Sequence, residues 1–160
     1  MRFPRTINRF LLVSGLLALA ACGGGGGDGK SNGGESSPDG LAVKGENPKI
    51  LVHNRELAED MLVGGRLEYI ADGDCLVVHA DQGGVEVTVS PIWSKDVRPA
   101  REGGKRGVEV PNFGTILEGA TIKASGSFWE ADDARMKDAD IARACRPEGG
   151  FIVLNAGSFT

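Results

Sequence analysis

The chain has few of the residues that usually carry catalysis. Among its 160 residues are only two histidines, three cysteines and one tyrosine. No Gly-x-Ser-x-Gly elbow accompanies either histidine, and the glycine run at residues 23–27 does not follow a strand as a phosphate-binding loop would. A nucleophilic hydrolase needs a base held against its nucleophile, and no such pairing is evident. We therefore predict a protein that is not an enzyme and that needs no cofactor or metal.

The sequence also lacks an apolar run long enough to cross a membrane. Its longest apolar stretch, FLLVSGLLALAA, covers residues 10–21, whereas a transmembrane helix needs about 20 residues. Basic residues precede the stretch, and small residues followed by a cysteine end it. This order of positive, apolar and small residues predicts a signal peptide over residues 1–21.

The end of the signal peptide resembles a bacterial lipobox, which this chain carries as Leu19-Ala20-Ala21-Cys22. The resemblance implies cleavage before Cys22 and a lipid on its sulfur. Gly23 follows, so the aspartate that marks retention in the inner membrane of many Gram-negative bacteria is absent. We expect a lipid-anchored protein of the cell membrane or the outer membrane, facing outward or the periplasm.

Positive charge is scarce in the mature chain. Cleavage removes Arg2, Arg5 and Arg9, which leaves 15 basic and 22 acidic residues and a net charge of −7. Such an acidic surface argues against nucleic acid as a partner, because phosphate backbones bind basic surfaces. The expected partners are the membrane, through the lipid on Cys22, and an envelope protein or glycan.

Glycine is abundant, and half of residues 23–40, GGGGGDGKSNGGESSPDG, is glycine. A segment of this composition cannot bury enough surface to offset the entropy of ordering it. We predict a flexible tether over residues 22–45 and one folded domain over residues 46–160.

The sequence of the domain consists of short runs typical of β-strands, separated by turn residues. Apolar and polar residues alternate at 85–89, and an Asp-Gly turn separates the runs at 66–70 and 75–80. Further runs lie at 108–110, 114–117, 121–128 and 151–154. One short helix is predicted over residues 54–62 and another from Asp132 or Asp133 to about residue 144. The prediction is a mainly all-β domain, a small OB-like β-barrel of about six strands with one or two short helices.

Two cysteines remain in the domain once Cys22 carries lipid. Thiols of exported proteins usually pair, so Cys75 and Cys145 are predicted to form a disulfide. The alternatives are a catalytic thiol or a metal ligand, which need a nearby base or further ligands.

The candidate binding residues are basic or aromatic. Residues 94–107 hold the only basic patch of the domain, and the segment is interpreted as a solvated loop or as a mobile loop that grips an anionic partner. Its cations are Lys95, Arg98, Arg101, Lys105 and Arg106. Trp93 and Trp129 could stack against a sugar or a peptide, and core packing is the alternative for both.

A second function class stays open, because His79 lies on a predicted strand with Asp81 close behind it. A small envelope enzyme or metal-dependent hydrolase could use His79 with neighbouring carboxylates. The simpler interpretation is a strand histidine that faces solvent.

Several short motifs occur in a distinctive order: Gly65-x-Leu67, residues 73–78 (GDCLVV), residues 90–93 (SPIW), and Cys145 before an apolar strand that ends at Asn155. In this order the chain is similar to a group of small exported proteins of actinobacteria. The resemblance implies a β-barrel and a bond between Cys75 and Cys145, and it carries no activity.

Overall fold

The computed structural model describes residues 40–55 and 59–160, which form a mainly β fold. The predicted signal peptide, Cys22 and most of the predicted tether lie outside these residues. The described fold begins with buried Leu41 and a strand from Ala42, inside the stretch that composition assigned to the tether. In the described part of the chain, no helix has the length and apolar character to cross a membrane.

Ten strands follow one another along the described chain, more than the six or so predicted. They are β1 (Ala42–Lys44), β2 (Ile50–His53), β3 (Met61–Ile70), β4 (Cys75–Gln82), β5 (Val85–Ser94), β6 (Arg98–Glu102), β7 (Lys105–Val110), β8 (Gly114–Leu117), β9 (Thr121–Trp129) and β10 (Phe151–Leu154).

Five of these strands pair side by side in the closed order β3, β4, β5, β10 and β9, in which β9 also pairs with β3. We call these five strands the ring. The β5–β10 pair is parallel and the other four pairs are antiparallel. The turn between β4 and β5 is Gly83-Gly84, with φ values of 65° and 89°. Positive φ at both positions is what a two-residue hairpin turn requires, and glycine adopts it without strain.

Strand β2 widens the sheet beside the ring. It runs parallel to the end of β5, with Leu51 opposite Ile92, and Lys49 bridges Cys75 at the start of β4. Residues 49–53 therefore lie between the beginning of β4 and the end of β5. Strand β1 pairs with the outer edge of β2.

Strands β6, β7 and β8 form a separate three-stranded sheet, inserted in the chain between β5 and β9. The interpretation of residues 94–107 as a loop is wrong, because β6 and β7 form a hairpin here with Gly103-Gly104 at its turn. Val108 and Ile116 of this sheet pack into the same core as Leu67 of the ring.

The core lies on both faces of the sheet that contains β10. Ile152 and Leu154 belong to the larger cluster with Leu67 and Trp93, whereas Phe151 and Val153 belong to a second cluster with Met136. Because successive side chains of a strand point to opposite faces, a strand covered on both sides must be apolar throughout. This explains the uninterrupted apolar sequence Phe151–Leu154.

Both predicted helices are wrong. Residues 61–62 of the first begin β3, where Met61 lies opposite Gly126, and residues 56–58 lie outside the described part. In place of the second, residues 130–150, which we call the strap, hold two single 3-10 turns, Ala134–Met136 and Arg143–Cys145. Asp133 does cap the first turn, accepting a hydrogen bond from the backbone N–H of Arg135.

The structure brings Cys75 and Cys145 to bonding distance as a disulfide, with α-carbons 6.0 Å apart, in agreement with the predicted pairing. The bond joins the start of β4 to the second 3-10 turn of the strap. Since 70 residues separate the two cysteines, it closes a large loop of the chain.

Candidate functional site

The basic residues predicted for binding divide between a groove, a hairpin end and an internal network. Lys95 lies in the turn after β5, and Arg98 begins β6. Val97 between them is fully buried, which holds the turn against the core while both flanking cations stay exposed.

Lys95 and Arg98 line a groove of about 370 Å³. We call it the basic groove, and its other lining residues are Lys44, Asp96, Glu109 and Pro111. Lys44, at the end of β1, donates a hydrogen bond from its ammonium to the backbone carbonyl of Lys95. Three cations from three separate elements thus surround one groove. No local pattern in the sequence points to Lys44, which lies 51 residues before Lys95.

The charges of the basic groove are not paired with one another. Among residues 40–55 and 59–160 the ion pairs are His79–Glu68 and Arg135–Asp133. No groove cation therefore lies within salt-bridge distance of Asp96 or Glu109 in the described chain. Cations and carboxylates alike keep their capacity to bind a ligand.

Arg106 faces the interior side of its sheet. Its guanidinium lies 4.6 Å from the ring centroid of Tyr69, and its Nε donates to the side-chain oxygen of Asn47 at 3.0 Å. The Tyr69 hydroxyl donates to Asp74 at 2.5 Å, and this hydrogen bond raises the pKa of Tyr69 above its ordinary value. Arg106 therefore joins β7 to the first hairpin of the ring. Its neighbours Arg101 and Lys105 are exposed at the hairpin end, outside the basic groove.

The two tryptophans also have different surroundings. Trp93 is fully buried and stacks on Phe159, with ring centroids 6.0 Å apart and planes 13° apart. Its Nε1 has no hydrogen-bond partner among the described residues. The core-packing interpretation therefore describes Trp93, and its ring is not accessible to a ligand in this structure.

Trp129 is 7% exposed and contacts two guanidinium groups. The Arg135 guanidinium lies 3.6 Å from the ring centroid and that of Arg55 lies 5.6 Å away. Asp133 orients Arg135 by accepting from its Nε at 2.8 Å, and this hydrogen bond lowers the pKa of Asp133. Trp129, Arg55 and Arg135 line a second groove of about 310 Å³, with Glu59, Ser127, Phe128 and Val153.

His79 lies on the outer face of the ring between two polar side chains. Its Nε2 contacts the Glu68 carboxylate, and its Nδ1 lies 3.3 Å from the Thr88 hydroxyl. This places a hydroxyl, an imidazole and a carboxylate in one row across β5, β4 and β3. No group of three histidine, cysteine, aspartate or glutamate side chains within the described residues could hold a metal ion.

His53 is the buried histidine, at the end of β2. It is 1% exposed, and its Nε2 lies 2.9 Å from the backbone carbonyl of Leu154, close enough to donate a hydrogen bond. Burial lowers the pKa of His53, because the charged imidazolium loses its hydration. His53 therefore connects β2 to the end of β10 as a neutral side chain.

No protein-family model, no curated protein and no solved structure matches the chain.

Proposed function

We propose that the protein is a lipid-anchored binding module of the cell envelope and not an enzyme. In this proposal Cys22 carries the lipid, the glycine-rich segment is the tether, and the β domain presents a ligand-binding surface. The basic groove is the observation that carries the binding role. It gathers cations from β1, β6 and the turn after β5 on a chain with an acidic net charge, so it attracts an anionic partner to one place.

The proposal includes an OB-like barrel as the fold of the domain. The order of the ring supports it: a three-stranded meander, a strand that returns beside the first, and a last strand parallel to the third. That is the arrangement of a five-stranded Greek-key barrel, with the sheet of β6, β7 and β8 inserted between its third and fourth strands.

The anchor is tested by Cys22→Ser, compared with the native chain in the same cells. The expected result is loss of fatty-acid labelling at residue 22 and accumulation of an uncleaved or soluble form. Ser14→Cys in the Cys22→Ser background is the control, because it restores a thiol outside the lipobox. Membrane association and labelling unchanged in Cys22→Ser would refute the anchor.

The binding role is tested by cross-linking in intact cells, with photoactivatable side chains placed at residues 96 and 111 on the rim of the basic groove. The same side chain at exposed Asp72 is the control. An envelope adduct specific to the rim positions supports the binding role. Adducts equal at all three positions would contradict it.

A second candidate function rests on the row of Thr88, His79 and Glu68. A base oriented by a carboxylate and close to a hydroxyl is an arrangement that hydrolases use. The test measures hydrolysis of activated esters by the native chain, His79→Gln and Glu68→Gln, together with the melting temperature in divalent metals. The enzyme is favoured if the native chain hydrolyses the esters and both variants do not. It is also favoured if divalent metals raise the melting temperature strongly in the native chain but not in His79→Gln.

A further inference from the structure

The basic groove contains acids as well as bases, and this mixture restricts its ligand. Lys44, Lys95 and Arg98 supply positive charge, and Asp96 and Glu109 supply two carboxylates to the same lining. None of the five is engaged in an ion pair with another described residue. The groove thus offers free hydrogen-bond donors with positive charge beside free acceptors with negative charge.

Each set of groups selects a different ligand chemistry. Ammonium and guanidinium groups only donate hydrogen bonds, and they bind carboxylates or phosphates best. Ionised carboxylates only accept, so Asp96 and Glu109 need a ligand that brings donors. A simple polyanion would satisfy the cations but be repelled by both carboxylates. A neutral sugar would satisfy the carboxylates but leave the cations unused.

A ligand that satisfies both sets carries anionic groups and hydroxyl groups together. We propose that the basic groove binds an acidic saccharide, with its anionic groups on Lys44, Lys95 and Arg98 and its hydroxyls donating to Asp96 and Glu109. This inference rests on the proposed binding role and names the ligand class of that same site. The groove, at about 370 Å³, has the volume of small-ligand sites and fits a short oligosaccharide segment.

The position of Lys44 supports a site built for a ligand. Its ammonium is held at the backbone carbonyl of Lys95, so one of the three cations is fixed beside the turn that carries Lys95. Groups that are already in place lose less entropy on binding than free side chains do. The arrangement joins β1 to the turn after β5, which are distant in the chain.

The experiment measures binding to the full chain, purified in detergent, by calorimetry. The probes are tetragalacturonate, which has carboxylates and hydroxyls, galactotetraose, which has hydroxyls alone, and inorganic tetraphosphate, which has charge without sugar hydroxyls. The expected order of affinity places tetragalacturonate first, and added salt weakens its binding because the groove is exposed to solvent.

Two sets of variants decide between recognition of a saccharide and attraction by charge. Lys95→Gln and Arg98→Gln should each weaken tetragalacturonate binding about tenfold, the equivalent of about 1.4 kcal/mol, whereas Arg101→Gln and Lys105→Gln outside the groove should not. Asp96→Asn and Glu109→Gln make the groove more positive. They should nevertheless weaken tetragalacturonate binding severalfold while strengthening tetraphosphate binding.

The opposite change in the affinity for tetragalacturonate overturns the inference. If Asp96→Asn and Glu109→Gln strengthen the binding of both anions, the groove responds to charge alone. If tetragalacturonate does not bind, the saccharide assignment fails. Should rim cross-links to an envelope component persist in that case, the binding role stands and only the ligand class is wrong. Melting temperatures equal to that of the native chain verify that each variant is folded.

Discussion

The ring and the strap are stabilised in different ways, although they share a core. Ring strands are held by continuous backbone ladders, such as the six registered pairs between Gly65–Ala80 and Ile70–Cys75. The strap has no ladder. It is fastened by Met136, by the Cys145 disulfide and by Arg135, which Asp133 orients over Trp129 of β9. Stability is therefore distributed over many residues in the ring and concentrated in a few in the strap.

This contrast predicts that damage to the strap opens it locally before the ring unfolds. Local opening is visible as faster hydrogen exchange in one segment while neighbouring segments stay protected. The strap covers the second core cluster, so its opening also exposes Phe151 and Val153.

Replacing both cysteines, Cys75→Ser with Cys145→Ser, should lower the free energy of unfolding by about 4 kcal/mol, because the bond closes a loop of 70 residues. Urea unfolding measures the loss. Hydrogen exchange should accelerate most in residues 130–150 and least in β3. Uniform acceleration across both regions would show that the strap does not open independently.

Met136→Ala should lower the free energy of unfolding by about 3 kcal/mol, since it leaves a cavity in the second cluster. Met61→Ala is the matched control, because Met61 is 49% exposed and its truncation should cost less than about 0.5 kcal/mol. Thermal unfolding compares the two variants. Equal shifts for Met136 and Met61 would contradict the burial of Met136 under the strap.

Mild acid should weaken the attachment of β2 to the ring before it affects the strap. The pKa of His53 is lower in the folded chain, so the unfolded chain binds the proton first and stability falls as the pH drops below about 6.5. His53→Gln, which keeps an amide donor for Leu154, should flatten this pH dependence. The measurement is the urea midpoint between pH 7.5 and pH 5. An unaltered profile in His53→Gln would exclude His53 as its source.

Asp133→Ala should have the smallest effect, about 1 kcal/mol, from the lost cap of the turn Ala134–Met136. Because the Asp133 pKa is lowered in the folded chain, its contribution is present at neutral pH and is lost only in strong acid. Exposed Asp138→Ala is the control and should leave the melting temperature unchanged. A larger effect from Asp138 would show that the cap of Asp133 does not fasten the strap.

The sequence predicts the strands well where local pattern and tertiary environment agree. Gly114–Leu117 and Phe151–Leu154 occupy the predicted residues. The pairing of Cys75 with Cys145 followed from there being two domain cysteines, and the structure agrees. Strand β6 was missed although its turn, Gly103-Gly104, carries the same signal as Gly83-Gly84.

The failures have physical causes. Met61 and Leu62 fit a helical spacing, but their backbone pairs with β9, and such long-range pairing is invisible in a local pattern. Between Asp133 and Cys145 only Met136 among the intervening residues is fully buried, which is too little apolar contact to support a helix. Of the predicted cations, Lys95 and Arg98 line the basic groove, whereas the Arg106 side chain contacts Tyr69. Lys44 lines the same groove from a strand that is distant in the sequence.

The parallel pairing of β10 with β5 has a consequence for how the chain is made. Synthesis delivers β3, β4 and β5 before the other strands of the ring, and they can pair as successive hairpins without waiting for later residues. The ring cannot close until residues 151–154 are delivered, because β10 alone connects β5 to β9. Non-local pairing of this kind is slow to form. A nascent chain therefore cannot close the ring until almost all of its described length has been synthesised.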